Sequence, residues 1–418
     1  PAPAPPYPHP TGAFAPDSTH TEDLASGVRH TEMRIPSGPW MVHVVEVAPG
    51  ACGVDLHTAK GLDQVIGRER PSEMARRTAI AAGRPVLAAV NADFFSFQPP
   101  GVPEGPEVSA GRVVKGEGTH REAVTGYELR EQPAFGVGAD GKPFFADAHL
   151  DGWLRIRGDS SAPLPRVNPP AANESVALYN SYRGARTPTD TGVVEVIVRI
   201  VRAAAMAGDT AVGVILRVDT TADGVDIPSD GVVLAERAHP GAALQLSLQA
   251  GDSVWWSLHF RGAPARVKEL VGGFPMLLRD GVSVLGEIDA MIPGFSVTQH
   301  ARTVVGLRAD GTVLLVAVDG RSADSKGMSL VQLTAFMQAL GATDALNLDG
   351  GGSTALVLDG RVANHPSDKE GERAVANALL VLGDGKNCVN YGGQGSGGRV
   401  QELQGSGSRD QGSGTTSE

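Results

Sequence analysis

Cysteine is scarce in this 418-residue chain: there are two, Cys52 and Cys388. That rules out a disulfide-dense mini-scaffold and a cysteine-built metal cluster. No apolar run approaches the roughly 20 residues that span a bilayer, so no membrane-crossing segment is expected. Positive charge is also in deficit, with 36 Lys and Arg against 47 Asp and Glu, a net charge of -11 and no basic stripe. A nucleic acid or an anionic membrane is therefore excluded as the main partner. A small phosphate-bearing substrate is not, because one local arginine can grip a phosphate inside an acidic protein. HExxH, EF-hand spacing and Cys/His clusters are missing as well.

The two cysteines stand near opposite ends of the expected folded region. A Cys52–Cys388 bridge would suit an extracellular or periplasmic protein, and two separate buried thiols are the alternative. No signal peptide is present, but the Pro/Ala-rich opening, residues 1–10, reads as the spacer left after one is removed. The expectation is a secreted or cell-envelope protein.

What the chain does have is 54 glycines and 29 prolines, which favour many short strands and few helices. Residues 1–27 read as a flexible Pro-rich lead, 28–386 as one catalytic domain, and 387–418, with its repeated QGSG, as a Gly/Ser-rich tail that cannot offset its ordering entropy. Apolar runs predict strands over 40–47, 85–90, 192–201, 211–218, 231–235 and 253–260. A helix is predicted over 72–82 with Gly83 as its stop. Strands at 303–307 and 313–318 flank an Asp310-Gly311 turn. Ser329 and Gln332 then make a capping box for a helix presenting Leu330, Leu333, Met337 and Leu340 on one face. Strands over 345–348 and 354–358 follow. The fold class is α+β: a β-rich mixed sheet with packed helices in a single large domain.

The stretch between the last two strands is the most informative. In Asn347-Leu348-Asp349-Gly350-Gly351-Gly352-Ser353-Thr354, a carboxylate, three glycines and two hydroxyls fall within eight residues. Consecutive glycines can turn their N–H groups toward one point and cradle an anion. A tight turn capped by Asp349 is the alternative, although a two-residue turn would not need three glycines.

That block, together with Val90-Asn91-Ala92-Asp93-Phe94-Phe95 and Arg302-Thr303-Val304-Val305-Gly306, resembles the phosphodiester glycosidases. This family includes the enzyme that uncovers mannose 6-phosphate by removing N-acetylglucosamine. Asp319-Gly320-Arg321 and Gly272-Gly273-Phe274-Pro275 fit the same pattern, so the resemblance covers about residues 30 to 385. It implies a hydrolase that cleaves a sugar 1-phosphodiester or phosphoglycan at the anomeric carbon, here in an exported protein whose bias toward Ala, Gly, Val and Arg over Lys suggests a bacterial source. It also implies that Asn168, Leu178-Tyr179-Asn180 and the loop 184–187 form a second wall of the cleft.

The individual roles follow from side-chain chemistry. Asp349 is the candidate base or nucleophile, Asp93 a second carboxylate or merely an Asx-turn, and His300 a general acid or phosphate contact. Arg302 can hold phosphate bidentately or make a structural ion pair. Asn91 and Asn347 can bind sugar hydroxyls or satisfy strand-end backbone. Gly350, Gly351, Gly352, Ser353, Thr354, Asp319 and Arg321 complete the candidate substrate and phosphate contacts. No cofactor is required by this chemistry; Ca or Mg on Asp93, Asp319, Asp349 and the Asp190 loop is the open variant. A metal-dependent phosphodiesterase attacking phosphorus and a non-catalytic glycan-binding protein are the rival functions.

Overall fold

The computed structural model describes residues 10–116, 132–156, 161–221, 223–245, 248–291 and 293–383. The 387–418 tail lies outside them. The expected Cys52–Cys388 bridge involves residue 388, which lies outside the described residues; Cys52 itself is not a free thiol.

The alternation of apolar side chains explains the architecture. In Trp40–Val47 and Val313–Val318, the residues Val42, Val44, Leu314, Val316 and Val318 pack on the helix Leu330–Ala339 through Leu330, Leu333, Phe336 and Met337. Their neighbours Val45, Val47, Val313, Leu315 and Ala317 turn to the opposite face and meet Ala88, Val90, Leu356, Leu379 and Val381 of a second sheet. That sheet's far face, with Ala89, Val357, Leu380 and Leu382, is covered by Met74 and Ala75 of the helix Pro71–Ala82. The body is therefore a four-layer helix–sheet–sheet–helix stack. Strands buried on both faces read as near-continuous apolar runs, which is why they were legible.

The first sheet has eight antiparallel strands, in the order Ser18–Ala25, Val28–Ile35, Trp40–Val47, Val313–Val318, Arg302–Arg308, Ala342–Asn347, Met276–Arg279, Val282–Ser283. The second has five, in the order Arg361–Val362, Leu356–Leu358, Val86–Asn91, Asn377–Leu382, Asp55–Lys60. Both helices end or begin as their sequences direct. Pro71 opens the first and Gly83, at φ +61°, closes it. Ser329 Oγ accepts from Gln332 N (3.2 Å) while Ser329 N donates to Gln332 Oε1 (2.9 Å) in the predicted capping box.

Residues 153–257 build a separate eight-stranded sheet centred on Val193–Arg202 and Thr210–Asp219. It contains one parallel pair, Arg166–Val167 with Ala177–Tyr179, which makes the sheets mixed. A further five-stranded sheet includes Pro133–Gly138, Val267–Gly272 and Arg112–Lys115, and shares a core with the 153–257 sheet through Val113, Ala134, Leu154, Val196, Trp256 and Leu270. The class is α+β, as the sequence indicates. Two sequence readings change in kind. The run over 253–260 breaks after Ser257, and Phe260–Arg261 pairs instead with His149–Leu150. Ser18–Ala25, inside the stretch read as a flexible lead, is an edge strand on Val28–Ile35.

Candidate active site

The site forms where strand ends from the two stacked sheets are stitched together. Val86–Asn91 delivers Asn91, Ala92 and Asp93, and Ala342–Asn347 delivers Asn347, Leu348 and Asp349. Asp349 N donates to Ala92 O (2.8 Å), and Asn91 Nδ2 donates to Asp349 O (2.6 Å). Asn91 Oδ1 accepts from Thr303 Oγ1 (2.7 Å) and from Ala355 N (3.0 Å). Fully buried, Asn91 spends its amide on the scaffold and acts as the rivet between layers, the backbone-satisfying reading of the two open for it. Asn347 likewise donates from Nδ2 to Phe274 O (2.7 Å).

The N–H groups of Gly350 and Gly351 are spent within the protein. Gly350 N donates to Asp349 Oδ1 (2.8 Å) and Gly351 N to Ala301 O (2.8 Å), while Ser353 N to Gly350 O (3.1 Å) and Thr354 N to Gly351 O (3.3 Å) close a short 3-10 turn, Gly351–Ser353. Glycine is required instead by what crowds the turn. A Cβ on Gly350 would sit 2.7 Å from Ala301 O, and one on Gly351, at φ +59°, 2.8 Å from Arg321 Nη2. One on Gly352 would fall 2.0 Å from Arg373 Nη2. Two arginines therefore lie directly over the turn, and the cationic surface next to Asp349 is made by guanidinium groups rather than by backbone amides.

Arg321 is solvent-exposed and makes no ion pair among the described residues, which leaves its fork available to an anion. Arg302 is buried and differs in its engagement: Nε donates to Met328 O (2.9 Å) and Nη2 to Thr298 O (2.8 Å), and burial lowers its pKa to about 10. His300, on the strand side of the same corner, is held below its ordinary pKa by burial and by the charges of Arg302 and Arg321. At neutral pH its imidazole is uncharged and offers an acceptor nitrogen.

The two candidate carboxylates live in opposite settings. Asp349 keeps intermediate exposure, yet its carboxylate is walled in closely enough that burial raises its pKa to about 6, offset in part by the Ser353 hydroxyl, the Gly350 N–H and the Arg373 charge. A carboxylate at that value is ionised at pH 7 and still basic enough to take a proton. Asp93 is sealed. Its Oδ2 accepts from Gly105 N (2.6 Å), its own N–H donates to Asn377 Oδ1 (2.8 Å), and Gly105 and Gly272 press against it so closely that a Cβ on either would lie within 3.1 Å of Oδ2. Desolvation pushes its pKa well up. Behind it Asn377 Nδ2 donates to the equally buried Glu107 (3.0 Å), so Asp93 belongs to an interior polar network.

Asp319 is a scaffold anchor. Its carboxylate accepts from Asn364 Nδ2 (3.0 Å) and from His365 N (3.1 Å to each oxygen), and burial is the first cause of its raised pKa. Ser353 and Thr354 are both buried, and Ser353 Oγ accepts from Arg373 Nη1 (3.3 Å). The second wall expected around residue 168 is also a fastening: Asn168 Nδ2 donates to Asn180 Oδ1 (2.8 Å) and Asn180 N to Asn168 Oδ1 (3.0 Å), while their amides reach Val114 O and Val113 O. Among the described residues no group of three or more His, Cys, Asp or Glu side chains is arranged to hold a metal ion. No helix among them is long and apolar enough to cross a membrane.

The residues that sequence reasoning missed are Arg373 and Asp368. They occur in Ser367-Asp368-Lys369-Glu370-Gly371-Glu372-Arg373, whose composition reads as a solvated loop. Only the folded chain brings them onto the glycine turn.

The sequence profile of the phosphodiester glycosidase family matches residues 201–382, which include His300, Arg302, Asp319, Arg321 and the Asn347–Thr354 block but not Asn91, Asp93 or the wall expected around residues 168–187. Over 110 residues the chain is 32% identical to mouse N-acetylglucosamine-1-phosphodiester alpha-N-acetylglucosaminidase, covering 24% of this chain and 21% of that protein. Over 83 residues it is 37% identical to an SPbeta prophage-derived uncharacterized protein of Bacillus subtilis (strain 168), covering 20% of this chain and 13% of that one. The chain thus spans about a fifth or less of these relatives' lengths. In fold it is similar to a hypothetical protein from Synechocystis (TM-score 0.66, 20% identity, 88% of this chain and 64% of that one). The same holds for a putative exported protein from Burkholderia pseudomallei K96243 (TM-score 0.63, 24% identity, 83% and 74%). The chain is therefore similar in sequence to the phosphodiester glycosidases over residues 201–382, and its fold recurs in bacterial proteins whose names assign no activity.

Proposed function

We propose that this chain hydrolyses a sugar 1-phosphodiester, with a hexose or N-acetylhexosamine as the sugar, at the anomeric carbon. The observation that carries the reading is Asp349: one carboxylate, raised to about 6, beside a turn overlaid by the guanidinium groups of Arg321 and Arg373. Acting as base, Asp349 takes a proton from water as the water oxygen bonds to the anomeric carbon. The bond from that carbon to the phosphate oxygen breaks with its electron pair, and the phosphomonoester departs already anionic, stabilised by Arg321. Acting as nucleophile, Asp349 would bond to the carbon first and be released by water. In either course the leaving phosphate needs no proton, which agrees with a neutral His300 and a sealed Asp93.

The relatives' printed activity, removal of N-acetylglucosamine from a 1-phosphodiester, supports the substrate class. Phosphodiesters of cell-wall or extracellular polysaccharides are the natural substrates that suit an exported protein. No resident cofactor enters these steps. Release of p-nitrophenyl phosphate and free sugar from a p-nitrophenyl sugar 1-phosphodiester, undiminished by EDTA, is the expected result. Activity abolished by EDTA and restored by Ca or Mg would favour the metal-dependent phosphodiesterase, and saturable sugar binding without turnover would leave a glycan-binding protein.

A further inference from the structure

The Asn364–Arg373 segment is tied down at both ends against the glycine turn. At one end Asn364 Nδ2 donates to Asp319 Oδ1, and Asn364 Oδ1 accepts from Leu356 N (2.7 Å). At the other, Asp368 holds Arg373 in a two-pronged pair, Nε to Oδ2 at 2.7 Å and Nη2 to Oδ1 at 3.0 Å. That leaves Nη1 to reach Ser353 Oγ at 3.3 Å. The Ser353 hydroxyl in turn bonds the Asp349 carboxylate. A hydroxyl has one proton to give and lone pairs to accept with. Once the arginine N–H fills a lone pair, the proton is committed to the carboxylate.

We propose that Arg373, oriented by Asp368, is a positioning residue for Asp349: it fixes the Ser353 hydroxyl so that the hydroxyl's single proton is aimed at the Asp349 carboxylate. This rests on Asp349 being the reacting carboxylate of the proposed hydrolysis. A chain of two acids, one arginine and one serine then sets how basic that carboxylate is, and Gly352 is glycine because the fork passes through the space a Cβ would fill.

The rival account is a bare field effect, in which Arg373 acts only as a nearby positive charge. The two differ in sign at Asp368. Other titratable groups facing this corner are Arg321 above Gly351, Arg302 at the start of the neighbouring strand and His300 just before it, Asp319 under the loop, and Asp93 sealed behind Ala92. All stay in place when Asp368 is changed. Removing the negative charge of Asp368 would, by field alone, lower the Asp349 pKa. Loosening the fork and freeing the Ser353 hydroxyl would raise it.

The test is a pH titration of the full chain labelled with ¹³C-carboxyl aspartate, followed by NMR without substrate, with the Asp349 signal identified by its loss in Asp349→Asn. Asp368→Asn and Ser353→Ala should each raise the Asp349 midpoint by about half a unit or more, and Arg373→Lys, which keeps the charge but not the fork, should do the same. A midpoint that falls or stays put in Asp368→Asn, with circular dichroism showing an intact fold, overturns the proposal; so does an unchanged midpoint in Ser353→Ala. Because the titration needs no turnover, it is independent of the assigned activity. Midpoints that rise while the pH dependence of kcat/KM stays fixed would keep the positioning chain and refute Asp349 as the reacting carboxylate.

Discussion

Two strand ends meet at this corner, one hydrogen bond apart, and they have opposite fates. The end of Ala342–Asn347 places Asp349 at a surface overlaid by arginines; the end of Val86–Asn91 places Asp93 beneath Gly105 and Gly272, 1% exposed. Both carboxylates are raised by desolvation, so an elevated pKa alone does not separate them. What separates them is which cations they face and whether a substrate can arrive. Backbone adjacency does not make a catalytic pair, and a single-carboxylate reaction with a good leaving group fits the arrangement better than two flanking acids.

The largest expected effect sharpens that contrast. Asp349→Asn should cut kcat by about a thousandfold or more, roughly 4 kcal/mol of barrier, with an unchanged melting temperature. Asp93→Asn should leave kcat within about tenfold and act mainly on stability, since it alters a sealed network. Comparable losses of kcat in both variants would erase the distinction and restore Asp93 as a partner in the chemistry.

A smaller effect separates the arginines. Arg321→Ala should lower kcat/KM by about a hundredfold, because an exposed guanidinium loses a charged substrate contact, while stability holds. Arg302→Ala should instead cost about 2 kcal/mol in denaturant unfolding, as the buried Met328 carbonyl and the part-buried Thr298 carbonyl lose their donor. The reverse assignment of losses would make Arg302 the phosphate-holding group.

The sequence shows the body of this fold because its strands are buried on both faces and carry apolar side chains at nearly every position, as in Val313–Val318. The helix Leu330–Ala339 is equally plain from its capping box and apolar face. Ser18–Ala25 is not, because an exposed edge strand of Ser, Thr, His, Glu and Asp shows no period-two pattern. At the site, the Asp349–Thr354 block can be picked out by its glycines, but their reason lies in side chains that arrive from elsewhere: Arg321 on a left-handed turn and Arg373 from a polar loop. The same gap explains Asn91, whose amide is assigned only when Thr303 and Ala355 are brought to it.

The central claim is that carbon, not phosphorus, is attacked. Hydrolysis of a sugar 1-phosphodiester in ¹⁸O-labelled water, with mass analysis of both products, tests it directly. Water adding to the anomeric carbon puts the label on the sugar and leaves the phosphomonoester light, which is the predicted result. Label in the phosphomonoester would mean attack on phosphorus and would contradict the glycosidase account, even with Asp349 and Arg321 in contact with the substrate.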